Sequence, residues 1–475
     1  MARIYKAMQE ENSNKSEIEA GRSLTRRQFL TGAGAAALSL PFINVERVFA
    51  SQERPNFVFI LTDDQRWDAM SCAGHPFLRT PNIDRIAKEG ARFTNAFVTT
   101  ALCSPSRASI LTGRYAHFHG VINNKTPLSD DIPTFPQALQ KAGYDTAYIG
   151  KWHMDGQEGP RPGFNRWMSF KGQGRYDSQV FNVNGETVPF TGYITDILTR
   201  SALEWLKQPR KSPFCLYLAH KSVHAPFTPA IRHSKLYSDA KIPRPATMND
   251  DLKGKPKWLA AYQQTRMGVK DAEKFEQFVR NYNRCLVSVD EGVGKVMAAL
   301  DDLGVLDNTV VVFMGDNGFF QGEHGLLDKR AMYEESIRVP ILMRYPRLVK
   351  PGTPVNGIAL NIDICPTFLE LAGAKLPDGV QGRSLLPLLK GRRSGWRTDF
   401  LYEYFPEPGF AVPEVRGVRG ERWKYIEYPG IADTAELYDL KNDVVELHNL
   451  IGDASAEKEL ASLRGRLRAL MEETK

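Results

Sequence analysis

Short apolar runs alternate with helical segments after residue 54, and this alternation constrains the fold more than any other feature of the chain. The runs of strand length are NFVFIL (56–61), YDTAYIG (144–150), FCLYLAH (214–220) and TVVVFMG (309–315). The helical segments between them include a long one at roughly 272–302. Strands that are apolar on both faces and joined through helices form parallel sheets covered on both sides. We therefore predict an α/β fold with a large, doubly wound, mixed but mostly parallel sheet and helices on both faces.

Two stretches rich in glycine, proline and charge interrupt this rhythm, at 160–192 and 226–270, and we expect long loops over a functional site there. From about residue 380 the pattern changes to DFLYEYF, VRGVRGERWKYIEY and AELYDL, which are typical of antiparallel strands. The last segment has helical spacing, with one apolar stripe formed by Leu460, Leu463, Leu467 and Leu470. The expected organisation is a large α/β domain at 51–380 and a smaller α+β domain at 381–475 with an antiparallel sheet and a terminal helix.

The first fifty residues are predicted to be a targeting signal. Arg26 and Arg27 precede a Gly/Ala-rich apolar run that is too short to span a bilayer, and Ala50 is a candidate cleavage site. Paired arginines before such a run are typical of the twin-arginine export route. We predict a twin-arginine-type signal peptide over residues 1–50 and a periplasmic or secreted protein, rather than an uncleaved basic tail. No other apolar stretch reaches membrane-spanning length, so we do not expect an integral membrane protein.

Charge and cysteine content narrow the function further. The formal net charge is +7 without any long basic run, which disfavours nucleic-acid binding and is compatible with an anionic substrate. Cys215, Cys285 and Cys365 lie in apolar runs and are expected to be buried. The chain has five cysteines, so at least one is unpaired, and a Cys72–Cys103 disulfide remains one alternative.

Polar side chains follow each of the predicted strands. In chain order they are Asp63, Asp64, Lys151, His153, His224, Asp316 and Asn317. In an open parallel sheet, ligands bind outside the carboxyl ends of the strands. Carboxylate and amide oxygens suit Ca²⁺ or Mg²⁺ and are poor ligands for soft metals. Aspartate and asparagine at strand ends also commonly cap helices, but two such pairs on separate strands favour a metal site.

Cationic side chains in the same blocks would complement an anion. These side chains are Lys151, His153, His224 and Lys329. Taken alone, each would be expected to be only a surface lysine or a hydrogen-bonded structural histidine. Together with a metal and Arg107 they predict a pocket for an oxyanion, because arginine supplies a planar fork and lysine a point charge. A histidine in such a pocket can supply the proton that a leaving group needs.

The segment ALCSPSRASILTGR (101–114) places Cys103 at the start of a predicted helix. Pro105 suits the first turn of a helix, where free N–H groups favour an anion, and Arg107 lies one turn beyond Cys103. A thiolate there would be a plausible nucleophile. Thiolate nevertheless matches hard oxygen ligands poorly, so the residues alone indicate metal-assisted group transfer with an unexplained cysteine.

These blocks resemble the type I sulfatases of the alkaline phosphatase superfamily. ALCSPSRASILTG matches their C-x-P-S-R signature and GYDTAYIGKWH (143–153) their second signature. TDDQR, HAPF and GDNGFFQGEHGLLDKR resemble the remaining blocks in the expected order, and the resemblance covers nearly all of residues 54–450. Gly315 stands where many members have serine, which changes no predicted ligand.

The resemblance implies that Cys103 is oxidised to formylglycine (3-oxoalanine), whose hydrate is an oxygen nucleophile. A formylglycine-generating enzyme or a radical maturase would make it. The implied ligands of Ca²⁺, with Mg²⁺ as the alternative, are Asp63, Asp64, Asp316, Asn317 and formylglycine 103. The family pattern also assigns a role to each cation, with Arg107 and Lys151 steadying the diol and the sulfate and Lys329 joining Lys151 at the sulfate oxygens. His153 would assist the diol chemistry, and His224, with Lys329, would protonate the leaving alcohol.

The implied activity is hydrolysis of a sulfate ester on a sulfated carbohydrate. LAHKSVHAPF and RAMYEESIRVPIL look most like the bacterial N-acetylglucosamine-6-sulfatase and iduronate-2-sulfatase-like branch. A glycosaminoglycan, mucin or algal polysaccharide is the expected source of the sugar. Three alternatives remain: a phosphonate monoester or phosphodiester hydrolase of the same superfamily, a non-catalytic glycan-binding relative, and an unrelated secreted hydrolase with a Cys72–Cys103 disulfide.

Overall fold

Eighteen strands and eleven α-helices make up the part of the chain that the computed structural model describes, residues 54–264 and 271–475. In chain order the strands are β1 (Asn56–Thr62), β2 (Ala91–Phe93), β3 (Ala96–Phe97), β4 (Asp145–Gly150), β5 (Arg166–Ser169), β6 (Val180–Val183), β7 (Glu186–Pro189), β8 (Phe214–Ala219), β9 (Thr309–Gly315), β10 (Phe320–Gln321), β11 (Leu327–Asp328), β12 (Ile341–Arg344), β13 (Thr353–Val355), β14 (Ala359–Leu360), β15 (Asp399–Tyr404), β16 (Val415–Gly420), β17 (Trp423–Glu427) and β18 (Glu436–Asp439). The α-helices are α1 (Pro81–Lys88), α2 (Cys103–Thr112), α3 (Ala116–His119), α4 (Phe135–Lys141), α5 (Ile194–Leu206), α6 (Lys257–Gln264), α7 (Ala272–Asp302), α8 (Glu334–Ile337), α9 (Ile364–Ala372), α10 (Leu386–Leu389) and α11 (Glu457–Glu473). The predicted signal peptide at 1–50 lies outside the described residues. Within them, no helix is both long enough and apolar enough to cross a membrane.

The main sheet has ten strands in the order β13-β2-β12-β9-β1-β8-β4-β5-β6-β7. Its central strands β9, β1, β8, β4 and β5 are all parallel to one another. Antiparallel pairs occur on both flanks, where β12 joins β9 and β6 joins β5. Parallel neighbours require long crossover connections, which the helices between the strands supply. The predicted large, mixed, mostly parallel sheet is confirmed.

The two faces of this sheet pack into different hydrophobic cores. Along β1, Phe57 and Phe59 enter one core and Val58 and Ile60 enter the other, since successive side chains of a strand point to opposite faces. On the first side the helices α2, α4 and α9 pack together, and Phe368 of α9 stacks on Phe57 with ring centres 4.7 Å apart. On the second side α1 and α5 pack against the long α7. Burial on both faces explains why these strands are apolar throughout.

The stretch 160–192, predicted to be loop, contains three strands, and that prediction was wrong. β5, β6 and β7 extend the main sheet beyond β4. Each is only four residues long, and β7 is largely exposed, so no apolar run marked them in the sequence. The described part of 226–270 is mostly irregular, as predicted, and also contains α6.

The C-terminal segment forms a four-stranded antiparallel sheet, β15-β16-β17-β18, with α11 packed on it. Of the predicted leucine stripe, Leu467 and Leu470 are buried, and Leu460 and Leu463 pack at its margin. The buried residues of this sheet belong to the same core as Phe57 and one face of the large sheet. The predicted antiparallel sheet and terminal helix are confirmed; the boundary between residues 380 and 381 stays a prediction.

A buried ion cluster joins the small sheet to α8 and the segment before it. Lys424 of β17 is fully buried, and its Nζ lies 3.0 Å from Glu334 Oε1 and 2.6 Å from Glu446 Oε1. The same ammonium donates to the carbonyl of Met332 at 2.9 Å. A buried charge is tolerated only when opposite charges and hydrogen bonds surround it, so these groups depend on one another.

Replacing this ammonium should therefore destabilise the protein strongly. Lys424→Met leaves Glu334 and Glu446 buried without their common partner, and we expect the free energy of unfolding to fall by about 3–5 kcal/mol. Urea denaturation followed by tryptophan fluorescence measures the loss. The same change at exposed Lys458 of α11 is the control, and equal midpoints for the two variants would contradict the expectation.

Candidate active site

The parallel strands deliver the predicted polar residues to one edge of the sheet. β1 ends at Thr62 just before Asp63 and Asp64, and β9 ends just before Asp316 and Asn317. β4 ends at Gly150, whose φ of 129° and close packing exclude a side chain, because a Cβ there would lie 1.7 Å from the carbonyl oxygen of Ala219. Lys151 follows directly and enters the site with its direction set by this close pairing of β4 and β8.

Cys103 is the first residue of α2 and lies in this cluster. Its Sγ accepts a hydrogen bond from Lys329 Nζ at 3.1 Å and lies 3.5 Å from Asp63 Oδ1. The start of α2 is capped from another segment, since Asn124 Oδ1 accepts from Ser104 N at 3.1 Å and from its hydroxyl at 3.0 Å. The alternative disulfide is not formed, because Cys72 and Cys103 are both free thiols.

Four side chains bring possible ligand atoms together at the same place. One atom each from Asp63, Asp64, Cys103 and His224 lies within 4.8 Å of the others. Asn317 Nδ2 donates to Asp64 Oδ1 at 2.7 Å, so the side-chain oxygen of Asn317 faces away from this carboxylate oxygen. That oxygen, Asn317 Oδ1, is buried and has no hydrogen-bond partner. A buried acceptor without a partner in a group of carboxylates is the observation expected beside a cation.

Three cations fix the carboxylates. Arg107 Nη2 lies 2.8 Å from Asp316 Oδ2 and 3.4 Å from Asp63 Oδ2, and its Nη1 donates to the carbonyl of Lys151 at 2.6 Å. Lys151 Nζ donates to Asp63 Oδ2, and Lys329 Nζ donates to Asp64 Oδ1. Arg107 thus links the residues that follow β1, β4 and β9, whereas Lys329 also contacts Cys103.

The electrostatics of the cluster fit an oxygen-preferring divalent cation. Burial would raise the pKa of Asp63, but Lys151 and Arg107 hold it well below its usual range. Burial and the charge of Asp63 raise the pKa of Asp316 to about 7. Three carboxylates balance three permanent cations, so a bound divalent ion would leave the site with positive charge for an anionic substrate.

The thiol and the histidines are uncharged in this environment. Burial and the neighbouring Asp63 raise the pKa of Cys103 to about 12. Burial lowers the pKa of His224 to about 4 despite the charge of Asp64, and burial together with Lys151 lowers the pKa of His153 well below its usual range. His224 Nδ1 donates to the carbonyl of Ala225 at 2.7 Å, and its Nε2 lies 3.7 Å from Asp64 Oδ2. His153 Nδ1 lies 3.4 Å from the hydroxyl of Ser104.

Two family models match the chain. The model described as Sulfatase matches residues 55–374, and the one described as N-sulphoglucosamine sulphohydrolase, C-terminal, matches residues 322–473. The chain belongs to the sulfatase family. It is therefore a sulfuric ester hydrolase, and the resemblance of its motifs is confirmed.

Individual relatives of this sulfatase match along most of their length. An N-acetylglucosamine-6-O-sulfatase of Bacteroides thetaiotaomicron is 35% identical, covering 89% of this chain and 86% of its own. A human N-acetylglucosamine-6-sulfatase is 33% identical, with 76% and 69% covered. A protein solved in complex with its substrate D-glucosamine-2-N,6-O-disulfate superposes with a TM-score of 0.83 at 34% identity, covering 89% of this chain and 98% of that one.

The sulfatase has a cavity of about 490 Å³ in front of the cluster. Lys329, His153 and His224 line it together with Asn124 and Gln173, which the sequence analysis missed. Three phenylalanines also line it, Phe278, Phe319 and Phe410. Gln173 escaped notice because its segment was predicted to be loop, and no local pattern distinguishes Asn124 or the three phenylalanines from ordinary packing residues.

The fit of the cluster to a cation predicts measurable binding by the metal-free protein. Adding Ca²⁺ should raise its melting temperature, and at a hundredfold excess over Kd the stabilisation is about 2.7 kcal/mol. Asn317→Ala removes the unpartnered oxygen and should weaken Ca²⁺ binding by about tenfold or more. Thermal unfolding across a Ca²⁺ titration measures both.

The matched control is Asn442→Ala, which truncates an exposed asparagine that hydrogen-bonds Asp439. This variant should show the wild-type Ca²⁺ response. Identical titrations for Asn317→Ala and Asn442→Ala would contradict a ligand role for the Asn317 oxygen.

Proposed function

We propose that this sulfatase removes sulfate from a sulfated carbohydrate by means of a formylglycine made from Cys103, with Ca²⁺ bound beside it. The observation that carries the proposal is the setting of residue 103. It lies at the start of α2, 3.1 Å from Lys329 Nζ and 3.5 Å from Asp63 Oδ1, within a cluster of hard ligands.

The unmodified side chain is unsuited to this position. A thiol whose pKa is raised to about 12 stays protonated near neutral pH, and protonated sulfur is both a poor nucleophile and a poor ligand for a hard cation. Formylglycine, once hydrated, supplies an oxygen nucleophile that matches the carboxylate and amide oxygens around it. The proposal thereby removes the mismatch between Cys103 and its surroundings.

The residues that would hold the ion are Asp63, Asp64, Asp316, Asn317 and the modified residue 103. Bound there, Ca²⁺ would stabilise negative charge on the oxygens of the nucleophile and the sulfate. Mg²⁺ is the alternative for the same oxygen donors. The unpartnered Asn317 oxygen supports this assignment more directly than any other contact, since it needs a partner that no described residue provides.

The cations of the chain would bind the sulfate. Lys151 and Lys329 are buried beside residue 103, where each ammonium has a hydrogen free beyond its carboxylate contact. Arg107 engages Asp316, Asp63 and the carbonyl of Lys151, and these contacts support a role in positioning the diol and sulfate sites. Positive charge held rigidly in a buried pocket stabilises the sulfuryl oxygens in the transition state without reorganisation.

The two histidines would move protons at defined atoms. His224 Nδ1 is engaged by the carbonyl of Ala225, so Nε2, which faces Asp64, is the atom that would protonate the leaving sugar oxygen. Burial lowers the pKa of this imidazole, whereas the negative charge of a bound sulfate ester would raise it and so favour the protonated form. His153 lies beside Ser104 at the cavity wall and would take the proton of residue 103 when sulfate is released.

The substrate we propose is a 6-O-sulfated glucosamine unit of a glycosaminoglycan or mucin. Two relatives at 33–35% identity are N-acetylglucosamine-6-sulfatases, and a solved structure at 34% identity is a complex with a glucosamine 2-N,6-O-disulfate. The three phenylalanines that line the cavity support binding of a sugar, since aromatic faces stack on apolar sugar surfaces. Export through the twin-arginine machinery and maturation of Cys103 by a dedicated enzyme complete the proposal.

The modification itself is directly measurable. The peptide containing Cys103, isolated from active enzyme, should have the mass of formylglycine, with oxygen in place of sulfur and two hydrogens fewer than the cysteine peptide. Cys103→Ser should lower turnover by roughly 10⁴-fold or more while leaving the fold intact. Full activity with an unmodified Cys103 thiol would overturn this mechanism.

The substrate class is tested by sulfate release from a panel of esters. We expect turnover of 6-O-sulfated glucosamine saccharides and little from 2-O- or 4-O-sulfated sugars, because the two relatives at 33–35% identity are 6-sulfatases. An aryl phosphonate ester tests the alternative hydrolase. A preference for that ester over every sulfate ester would refute the assignment.

A further inference from the structure

Gln173 lies at the same edge of the sheet as the active-site cluster. β5 is parallel to β4, so its carboxyl end, at Ser169, leads to the edge that also bears Lys151. The chain then turns through Gly172 and Gly174, whose φ values are 58° and 68°. A Cβ on Gly174 would lie 2.4 Å from the ring of Phe170, so this turn is held tightly and Gln173 is presented at its tip.

The contact with Lys151 fixes which way the Gln173 amide points. Lys151 Nζ donates to Gln173 Oε1, and an ammonium has only donors, so the amide oxygen must face it. The Nε2 group therefore points away from Lys151. Among residues 54–264 and 271–475, no protein group accepts a hydrogen bond from this Nε2.

The residue that carries this unpaired donor lines the cavity. Gln173 is half-buried and lines the same space as Lys329, His153 and His224. Lys151 Nζ uses two of its three hydrogens on Asp63 and Gln173, which leaves one for a further acceptor. Lys151 and Gln173 thus present adjacent donors, and a sulfate group consists entirely of acceptor oxygens.

We propose that Gln173 is a substrate-binding residue of this sulfatase, whose Nε2 donates to a sulfate oxygen while its Oε1 orients Lys151. The proposal rests on the proposed function and deepens it by adding a neutral donor to the cations that hold the sulfate. A neutral donor at this position binds the anion without adding another charge to the buried cluster.

Two substitutions separate the two ends of the amide. Gln173→Glu keeps an oxygen facing Lys151 and removes the donor, whereas Gln173→Leu removes both. Steady-state kinetics use 4-nitrophenyl sulfate, which has no sugar, and a 6-O-sulfated glucosamine saccharide. Competitive inhibition by inorganic sulfate gives a binding readout independent of turnover. Gln208→Glu, at an exposed position, controls for the change in charge.

We expect both variants to lose kcat/KM by about tenfold to hundredfold on both substrates, the usual effect of deleting a hydrogen bond to a charged group. The loss should fall mainly on KM, inhibition by sulfate should weaken in parallel, and Gln173→Glu should lose at least as much as Gln173→Leu because its carboxylate repels sulfate. Gln208→Glu should match the wild type. Since Gln173 lies on a half-exposed turn, unfolding midpoints should be unchanged.

Other outcomes overturn the proposal in distinct ways. Wild-type behaviour of Gln173→Glu beside an impaired Gln173→Leu would mean that the residue only orients Lys151. A loss confined to the saccharide would mean that the donor meets the sugar, and no loss in either variant would exclude any contact. A wild-type enzyme that releases sulfate from neither substrate would overturn the proposed function itself, and this inference with it.

Discussion

Six ionisable side chains share one buried edge of the sheet, and their mutual pairing is the condition on which the candidate active site depends. They are Asp63, Asp64, Arg107, Lys151, Asp316 and Lys329, and each is at most 2% exposed. An isolated charge in such a place would cost several kcal/mol, so each must face an opposite charge or a fixed dipole. Arg107 satisfies this condition most broadly, because it contacts two carboxylates and the carbonyl of Lys151. The pairing holds the side chains of three strands in one arrangement and leaves lysine hydrogens and the Asn317 oxygen for a substrate and a cation.

The small C-terminal sheet supports this arrangement from behind. Tyr402 of β15 is fully buried; its hydroxyl donates to the carbonyl of Arg330 at 2.6 Å and accepts from the N–H of Ala101 at 3.3 Å. One hydroxyl therefore links the backbone beside Lys329 to the backbone that leads into Cys103. Lys424 adds the buried ion cluster with Glu334 and Glu446. The C-terminal segment is thus a structural part of the active site, although it supplies none of the predicted ligands.

Much of the fold and of the site follows from local patterns. The runs that form β1, β4, β8 and β9 are apolar throughout because both faces are buried, so they can be recognised in the sequence. Parallel pairing then brings their carboxyl ends to the same edge of the sheet. For this reason the sequence predicts that the polar pairs after β1 and β9 lie close together. The same reasoning failed for β5–β7, because strands of four residues among glycines and charges leave no clear period. Because β5 was not predicted, the position of Gln173 beyond the end of that strand was not predicted either.

Neighbouring residues encode the main parallel strands with the helices between them, the set of hard ligands at the strand ends and the signature around Cys103, so these could be predicted without the fold. The folded structure alone shows which lysine faces which carboxylate, that Arg107 contacts Asp316, and that Gln173 lines the cavity. Such contacts join residues far apart in the chain, and their geometry depends on strand register and on competition among buried charges. No local pattern records that competition, because its outcome is settled only when all the charges are enclosed together.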